Sequence, residues 1–395
     1  MSEDMKKSLL FTLDFPPNFG GVAAYYHNIC ANFPSDRIVV LAPENPQAEN
    51  FDSRQDFAVI RSNFTEFFPS SGRLGFFNRF KIYFYFWRMI KIIKSRKIEL
   101  IQVGNILPLG TLALLIKKFR KVPYMIYTHG LDIVYAQNFW RKKLLLKIII
   151  KEASAIVTNS NYTRGELIKL GADNKKIIIV YPCSDLELTH FDKVEIENFK
   201  TAHELQDKKI LLTAGRLVER KGHDQVIKAL PEILRSVPDA IYVIAGGGPD
   251  LDRLKNLAAE DKLDQHVRFL GAISRKDLAL CYSLADVFIM PSRQLKNGDV
   301  EGFGIVYLEA NIYGKPAIGG RSGGVPEAID DGKTGILVDP ENAEEIAQAA
   351  IRLLTDSAYA QALGSRGAQR VREEFNWKKQ AGKIIEAIRA GFNQA

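Results

Sequence analysis

Cysteine is scarce: the 395 residues hold three, Cys30, Cys183 and Cys281, too far apart for a disulfide framework or a metal knuckle. That usage fits a reducing cytoplasm. Long apolar runs are absent too. No stretch of about 18 apolar residues occurs, so no bilayer-spanning helix is expected. The opening MSEDMKKSLLFTLDF has no apolar core followed by a cleavage site, so no secretory signal is expected. No G-x-G-x-x-G follows the first strand-like run, which disfavours a NAD-dependent dehydrogenase. Asp and Glu, 46 in the whole chain, are missing from residues 67–98.

What is present is an uneven charge. The net value is +8, yet residues 1–190 hold 26 Lys and Arg against 16 Asp and Glu, leaving 28 against 30 in the rest. The basicity belongs to the N-terminal half, which suggests an anionic partner there, membrane or nucleic acid. A composition 46% hydrophobic and 25% charged is that of a globular protein. The length suits two domains.

Short apolar runs alternate with helical patterns: 8–15, 37–43, 100–105, 124–130 and 155–160, then 209–215, 240–246, 267–271, 286–292 and 315–320. Continuously apolar strands with helices between them imply parallel sheets covered on both faces. The series restarts at 209, so the expected fold is α/β with two doubly wound, Rossmann-like domains. The domains expected are 1–190, 191–375 and a last amphipathic helix, 376–395. Ligands in such sheets sit beyond the carboxyl ends of the strands, so the loops there carry the information.

The first strand runs into DFPPNFGGVAAYYHNI, where Gly20 and Gly21 let backbone amides approach an anion at a helix start. A tight turn without ligand is the bland alternative. In TAGRLVERKGHD, Arg216 and Lys221 follow Gly215 at a strand end, where a guanidinium fork and an ammonium can hold a diphosphate. Solvated surface charge is the ordinary fate of such residues. GGGP, beginning at Gly246, has the wrong spacing for a dinucleotide fingerprint and reads as a turn or a surface for a nucleotide.

GDVEGFGIVYLEA, 298–310, places Glu301 and Glu309 at either end of an apolar run. Amides of Gly302, Phe303 and Gly304 would project at the start of a helix opening at Ile305, and Glu309 would lie two turns in. A buried carboxylate without a partner costs several kcal/mol, on the order of 2–7 for a polar group and more for a charge. Vicinal diol hydroxyls would serve, and so would an interior salt bridge. His129, in THGLD, stands between a strand end and a glycine, where its ring faces either a ligand or the core.

These residues together resemble the retaining glycosyltransferases of family 4, which have the GT-B fold of two such domains facing across a cleft. The likeness runs almost end to end: FPPNFGG, THG, Arg216-x4-Lys221-Gly, GGGP, VRFLG, Glu301-x7-Glu309, RSGGVPEAIDDGKTGILVDP and the FNW of the last helix. The resemblance implies a nucleotide-sugar donor as substrate, held by the second domain, no metal and no other cofactor. It assigns the diphosphate to Arg216 and Lys221 beside Gly215, with Gly20 and Gly21 assisting. Glu309 would take the ribose, and Glu301 with the amides of Gly302, Phe303, Gly304 and Ile305 the transferred sugar. His129 would contact the sugar near its anomeric centre, and Gly246 with the backbone of Phe269 and Leu270 the base. It also implies that the last helix crosses back to the first domain, and that transfer is front-face, a donor phosphate oxygen assisting deprotonation of the acceptor.

NGDVEGFGIVYLEA and SGGVPE are closest in wording to phosphatidylinositol mannosyltransferases that use GDP-mannose. UDP-glucose and UDP-N-acetylglucosamine enzymes share the framework, and a nucleotide-sugar epimerase on this fold is a further alternative. Between Arg73 and Lys97 stand eight basic residues, with Phe76, Phe80, Tyr83, Trp87 and Ile90 on one helical face. NFWRKKLLLKIIIK, residues 138–151, repeats the theme. Such helices suit either the domain core or an anionic membrane surface. The expected acceptor is a lipid-linked sugar, glycolipid or saccharide, and the expected location the cytoplasm, peripheral on the inner membrane face. No nucleic-acid partner is expected.

Overall fold

The computed structural model describes residues 5–18, 20–63, 76–137 and 139–392, and the side chains of all these but 76–82, 131, 135 and 136. The chain divides into two compact units. The first comprises Met1–Pro182 with Trp377–Ala395, the second Cys183–Asn376.

The first unit holds a seven-stranded parallel sheet: β1 (Ser8–Phe11), β2 (Ile38–Pro43), β3 (Ala58–Ser62), β4 (Leu100–Val103), β5 (Tyr124–Thr128), β6 (Ala155–Thr158) and β7 (Ile177–Ile179). Its order is β3-β2-β1-β4-β5-β6-β7. The second unit holds six: β8 (Lys209–Ala214), β9 (Ala240–Ala245), β10 (Val267–Gly271), β11 (Val287–Met290), β12 (Ala317–Gly320) and β13 (Gly335–Val338), in the order β10-β9-β8-β11-β12-β13. Strand order reverses beside β1 and again beside β8, so each unit has a topological switch point where loops diverge. β1, β2, β4, β5 and β9 are buried at every residue, which is why they read as unbroken apolar runs.

All ten expected strands exist, but most end early. Beyond Phe11 the chain leaves the sheet because Asn105 captures it: Asn105 Oδ1 accepts from Leu13 N at 2.8 Å and Nδ2 donates to Asp14 at 2.8 Å. β3, β7 and β13 escaped the sequence reading. β3 (AVIRS) carries a charge, β7 is three residues long, and β13 (GILV) opens on glycine.

The expected boundary at 190 moves to Pro182. Residues 185–189 are held within the second unit, where Arg275 bonds Asp185 and Tyr313 bonds Glu187. The helix Trp377–Arg389 belongs to the first unit. Its Ala381, Ile384 and Ile388 join a core with Leu10, Tyr25 and Val40, and Gln380 Oε1 accepts from Tyr181 N at 3.0 Å.

The helix Phe76–Arg96 corrects one sequence reading. Ile90 is buried with Tyr85, Met89 and Ile93, whereas Tyr83, Phe84 and Trp87 are exposed. The aromatic stripe is therefore split between core and surface. Arg73 and Asn138 lie outside the described residues, as do the side chains of Phe76, Arg79, Phe80 and Lys81.

Candidate active site

In the second unit the loops after β8 and β11, the strands flanking the switch point, bring charged side chains together. Gly215 (φ 145) turns the chain out of β8, and Arg216 beyond it is exposed, with no carboxylate in ion-pair range among the described residues. Lys221 is buried instead. Its Nζ stands 3.4 Å from Glu301 Oε2 and 3.4 Å from Met290 Sδ. Arg220 donates to the same Glu301 oxygen and lies 3.3 Å from Asp299. Burial disfavours the Glu301 charge, but Lys221 and Arg220 outweigh it and hold the carboxyl below its usual range. Two cations thus balance two carboxylates. Arg216 stands outside this pairing, and both cations address the same oxygen of Glu301, Oε2.

Glycines hold this arrangement by close backbone approach. A Cβ on Gly246 would lie 2.0 Å from Gly215 O and one on Gly248 would lie 2.2 Å from Leu217 O. The GGGP turn is therefore a buttress for the β8 loop, which Leu217 N ties to Gly247 O at 3.0 Å. Gly324 does the same for residues 301–304: its N donates to Glu301 O at 2.9 Å, and a Cβ there would meet Gly302 O at 2.1 Å. Gly304 (φ 95) caps the helix Ile305–Ile312 without a side-chain cap, and Tyr307 N turns back to Gly304 O at 3.2 Å.

Glu309 sits one and a half turns into that helix. Tyr282 donates to its Oε2 at 2.7 Å, and Tyr313 stacks on Tyr282 at 5.9 Å. Burial raises the Glu309 pKa, with Asp185 adding to the rise, while Tyr282, Lys221 and Arg275 pull it down. β10 is an edge strand whose register against β9 slips between Phe269 and Gly271, and among the described residues no strand pairs with its outer side.

In the first unit, His129 follows β5. Its Nε2 lies 2.8 Å from the Tyr26 hydroxyl, which itself donates to Gly104 O. A hydroxyl has one proton and a carbonyl has none, so Nε2 is the protonated nitrogen and Nδ1 is an acceptor. Burial lowers the His129 pKa to about 4, so the ring is neutral near pH 7. Asp132 accepts from His129 N at 3.1 Å, and burial raises its carboxyl to about 6. Gly20 (φ 150) and Gly21 open the helix Gly21–Ala31 at an exposed end, with nothing within 4 Å of a Cβ on either.

Residues 195–370 match the family described as glycosyl transferases group 1, and residues 19–188 match Glycosyltransferase Family 4. The GDP-mannose-dependent alpha-(1-6)-phosphatidylinositol monomannoside mannosyltransferase of Mycolicibacterium smegmatis is 31% identical over 385 residues, 96% of this chain and 97% of that protein. The chain belongs to glycosyltransferase family 4. The monoacylated-substrate counterpart from Corynebacterium glutamicum is 29% identical over 98% of both chains. Among solved structures, Anabaena HepE in complex with UDP and glucose superposes with a TM-score of 0.77 at 18% identity, over 97% of this chain and 99% of that one. Sucrose-phosphate synthase from Thermosynechococcus elongatus gives 0.74 at 21%, over 98% of each. These likenesses show the GT-B fold, and the chain is a glycosyltransferase that uses a nucleotide sugar.

For this glycosyltransferase the sequence reading brought Lys221 and Glu301 together and placed Arg216 on the same loop as Lys221. It missed Arg220, hidden beside a lysine that already explained the motif. It missed Tyr282, whose spacing on a helix looks like core. The role of Gly324 was present in the SGGVPE wording but had no partner in sequence. Among the described residues no helix is long and apolar enough to cross a membrane, and no cluster of three or more His, Cys, Asp or Glu has metal-binding geometry.

Proposed function

We propose that the protein is a retaining mannosyltransferase that moves mannose from GDP-mannose to a lipid-linked acceptor without a metal ion. The observation that carries the donor is the 31% identity over nearly the full length to enzymes named for GDP-mannose. The site supports the chemistry. Cleaving a glycosyl–phosphate bond builds negative charge on the diphosphate, and a preorganised cation there stabilises it. Arg216 and Lys221 take the diphosphate, Glu309 the ribose, and Glu301 with the amides of Gly302, Phe303, Gly304 and Ile305 the sugar. The backbone of Phe269 and Leu270 faces the base. Gly215 and Gly246 shape the loop that carries Arg216.

In the first unit, Gly20 and Gly21 present the amides of a helix start to an anion, and His129 offers Nδ1 to a sugar hydroxyl. With a neutral His129, the acceptor proton passes to a donor phosphate oxygen on the same face as the leaving group.

The acceptor side rests on the surface of the first unit. Trp140, Leu144 and Ile148, four apart on the helix Trp140–Glu152, are exposed beside Arg141, Lys143 and Lys147. Tyr83, Phe84 and Trp87 are exposed on the helix Phe76–Arg96, and Phe119, 71% exposed, contacts Phe86 of that helix. Aromatic and aliphatic groups ringed by Lys and Arg fit an anionic bilayer surface, each cation adding about 1 kcal/mol. Peripheral attachment to the cytoplasmic face follows. Failure to sediment with anionic liposomes at low salt would end that part of the reading.

A UDP-sugar donor is the second reading, since HepE of the same fold is described with UDP and glucose. Thermal-shift titration with GDP-, UDP- and ADP-sugars separates them, followed by transfer with the stabilising donor. Turnover of a donor without any acceptor would instead indicate an epimerase.

A further inference from the structure

The cation cluster and Glu309 account for the diphosphate and the ribose but leave the Watson–Crick edge of the base unread. A groove of about 410 Å³ opens in the second unit, lined by Asp185, Glu187, Thr189, Phe191, Arg275 and Lys276 among others. Arg275 Nη1 lies 3.4 Å from Asp185 Oδ2, and its Nη2 donates to the Asp185 carbonyl. The Arg275 and Asp185 side chains are 62% and 49% exposed. Lys276 is drawn aside to Glu195 at 2.6 Å. The groove thus offers the Asp185 carboxylate and the Arg275 guanidinium side by side, with Glu187 also on its wall.

A continuous line of contacts joins this groove to Glu309. Arg275 opens the helix Arg275–Leu284, and Tyr282, two turns along it, donates to Glu309. Tyr313, stacked on Tyr282, donates to Glu187 O at 3.1 Å and accepts from Thr189 N at 3.3 Å, both on the groove wall. Asp185 and Arg275 also both act on the Glu309 charge, in opposite directions. The sequence reaches Arg275 four residues after the edge strand β10 ends. A ribose held at Glu309 carries its base on C1′, the carbon bonded directly to the hydroxyl-bearing C2′.

We propose that Asp185 and Arg275 read the base of the donor and select guanine: Asp185 accepts from N1–H and the 2-amino group, and Arg275 donates to O6. This rests on the GDP-mannose reading above. The edge of guanine runs acceptor, donor, donor, which matches a guanidinium beside a carboxylate. Uracil would set its O2 acceptor against the Asp185 carboxylate, and adenine would set its amino group against Arg275. Each mismatch leaves a polar group facing its own kind, which is how a hydrogen-bonding pocket rejects a near-analogue.

Isothermal titration of GDP, IDP (which lacks the 2-amino group) and UDP against wild type, Asp185→Asn and Arg275→Met tests it. Wild type should bind GDP most tightly, then IDP, then UDP. Asp185→Asn should weaken GDP roughly ten- to hundredfold, change UDP by less than about threefold, and close the gap between GDP and IDP. Arg275→Met should weaken GDP and IDP alike, and its exposed position spares the core. A wild type that does not favour GDP over UDP overturns the donor reading and this one with it. A wild type that favours GDP, with both folded variants keeping that ratio within about twofold, overturns the base reader alone.

Discussion

Lys221 Nζ stands 3.4 Å from Glu301 Oε2, the same oxygen to which Arg220 donates. The cation of one switch-point loop is thereby fixed to the carboxylate of the other before any substrate arrives. Such preorganisation is what makes an electrostatic site effective, since no reorientation is needed when charge develops. Arg216, on the same loop, stands outside the pairing.

Arg216 and Arg220 should separate binding from folding. Arg220→Met leaves Glu301 and Asp299 short of a buried partner and should cost about 3 kcal/mol of stability. Arg216→Met should stay within about 0.5 kcal/mol in stability but lose donor affinity. Chemical denaturation and nucleotide titration of the two variants give the comparison; equal stability losses would contradict it.

The two glutamates should respond to pH in opposite senses. Glu301 titrates below its ordinary 4.5, so its charge adds stability above that value and the gain is lost as pH falls through the depressed native pKa. The stability gap between wild type and Glu301→Gln should therefore shrink in acid. Glu309 titrates high, so its charge is a cost above the raised native pKa, relieved as pH falls. Glu309→Gln should be more stable than wild type at pH 7 while binding nucleotide more weakly. Melting temperature against pH for both variants checks this.

His129 should not act as a general base at neutral pH. Its native pKa is about 4 against an ordinary 6.5, so the unfolded chain takes up a proton first and stability falls from about pH 6.5 towards 4. His129→Gln should blunt that loss. The rate–pH profile of wild type should show no limb near 6.5 that His129→Gln removes.

Gly324→Ala should weaken donor binding by distortion alone, because its Cβ would meet Gly302 O at 2.1 Å. Gly165→Ala, in the helix Asn161–Lys169 with nothing within 4 Å, is the control and should gain up to about 1 kcal/mol. Donor affinity is the readout; an unaffected Gly324→Ala would show that the loop does not need this buttress.

The parts legible in sequence were those written in local pattern. Runs such as KILLTA and AIYVIA announce buried parallel strands, and Lys221 and Glu301 stand in the separate motifs Arg216-x4-Lys221-Gly and Glu301-x7-Glu309. What escaped depends on contacts distant in sequence. Arg220 is explained only by Asp299 and Glu301, about 80 positions away, and Tyr282 only by Glu309. The fate of the aromatic stripe on Phe76–Arg96 was equally invisible. Burial of Ile90 beside exposed Trp87 is decided by the helix rotation against its neighbours, not by residue type.

The most direct measurement is transfer of labelled sugar from GDP-mannose into an extractable lipid, in the presence of a chelator, by wild type and Lys221→Ala. Loss of a preorganised charge at such a site costs about 3–4 kcal/mol. The account predicts chelator-resistant transfer by wild type and a fall of roughly 100- to 1000-fold in Lys221→Ala. Full activity in a folded Lys221→Ala would contradict it.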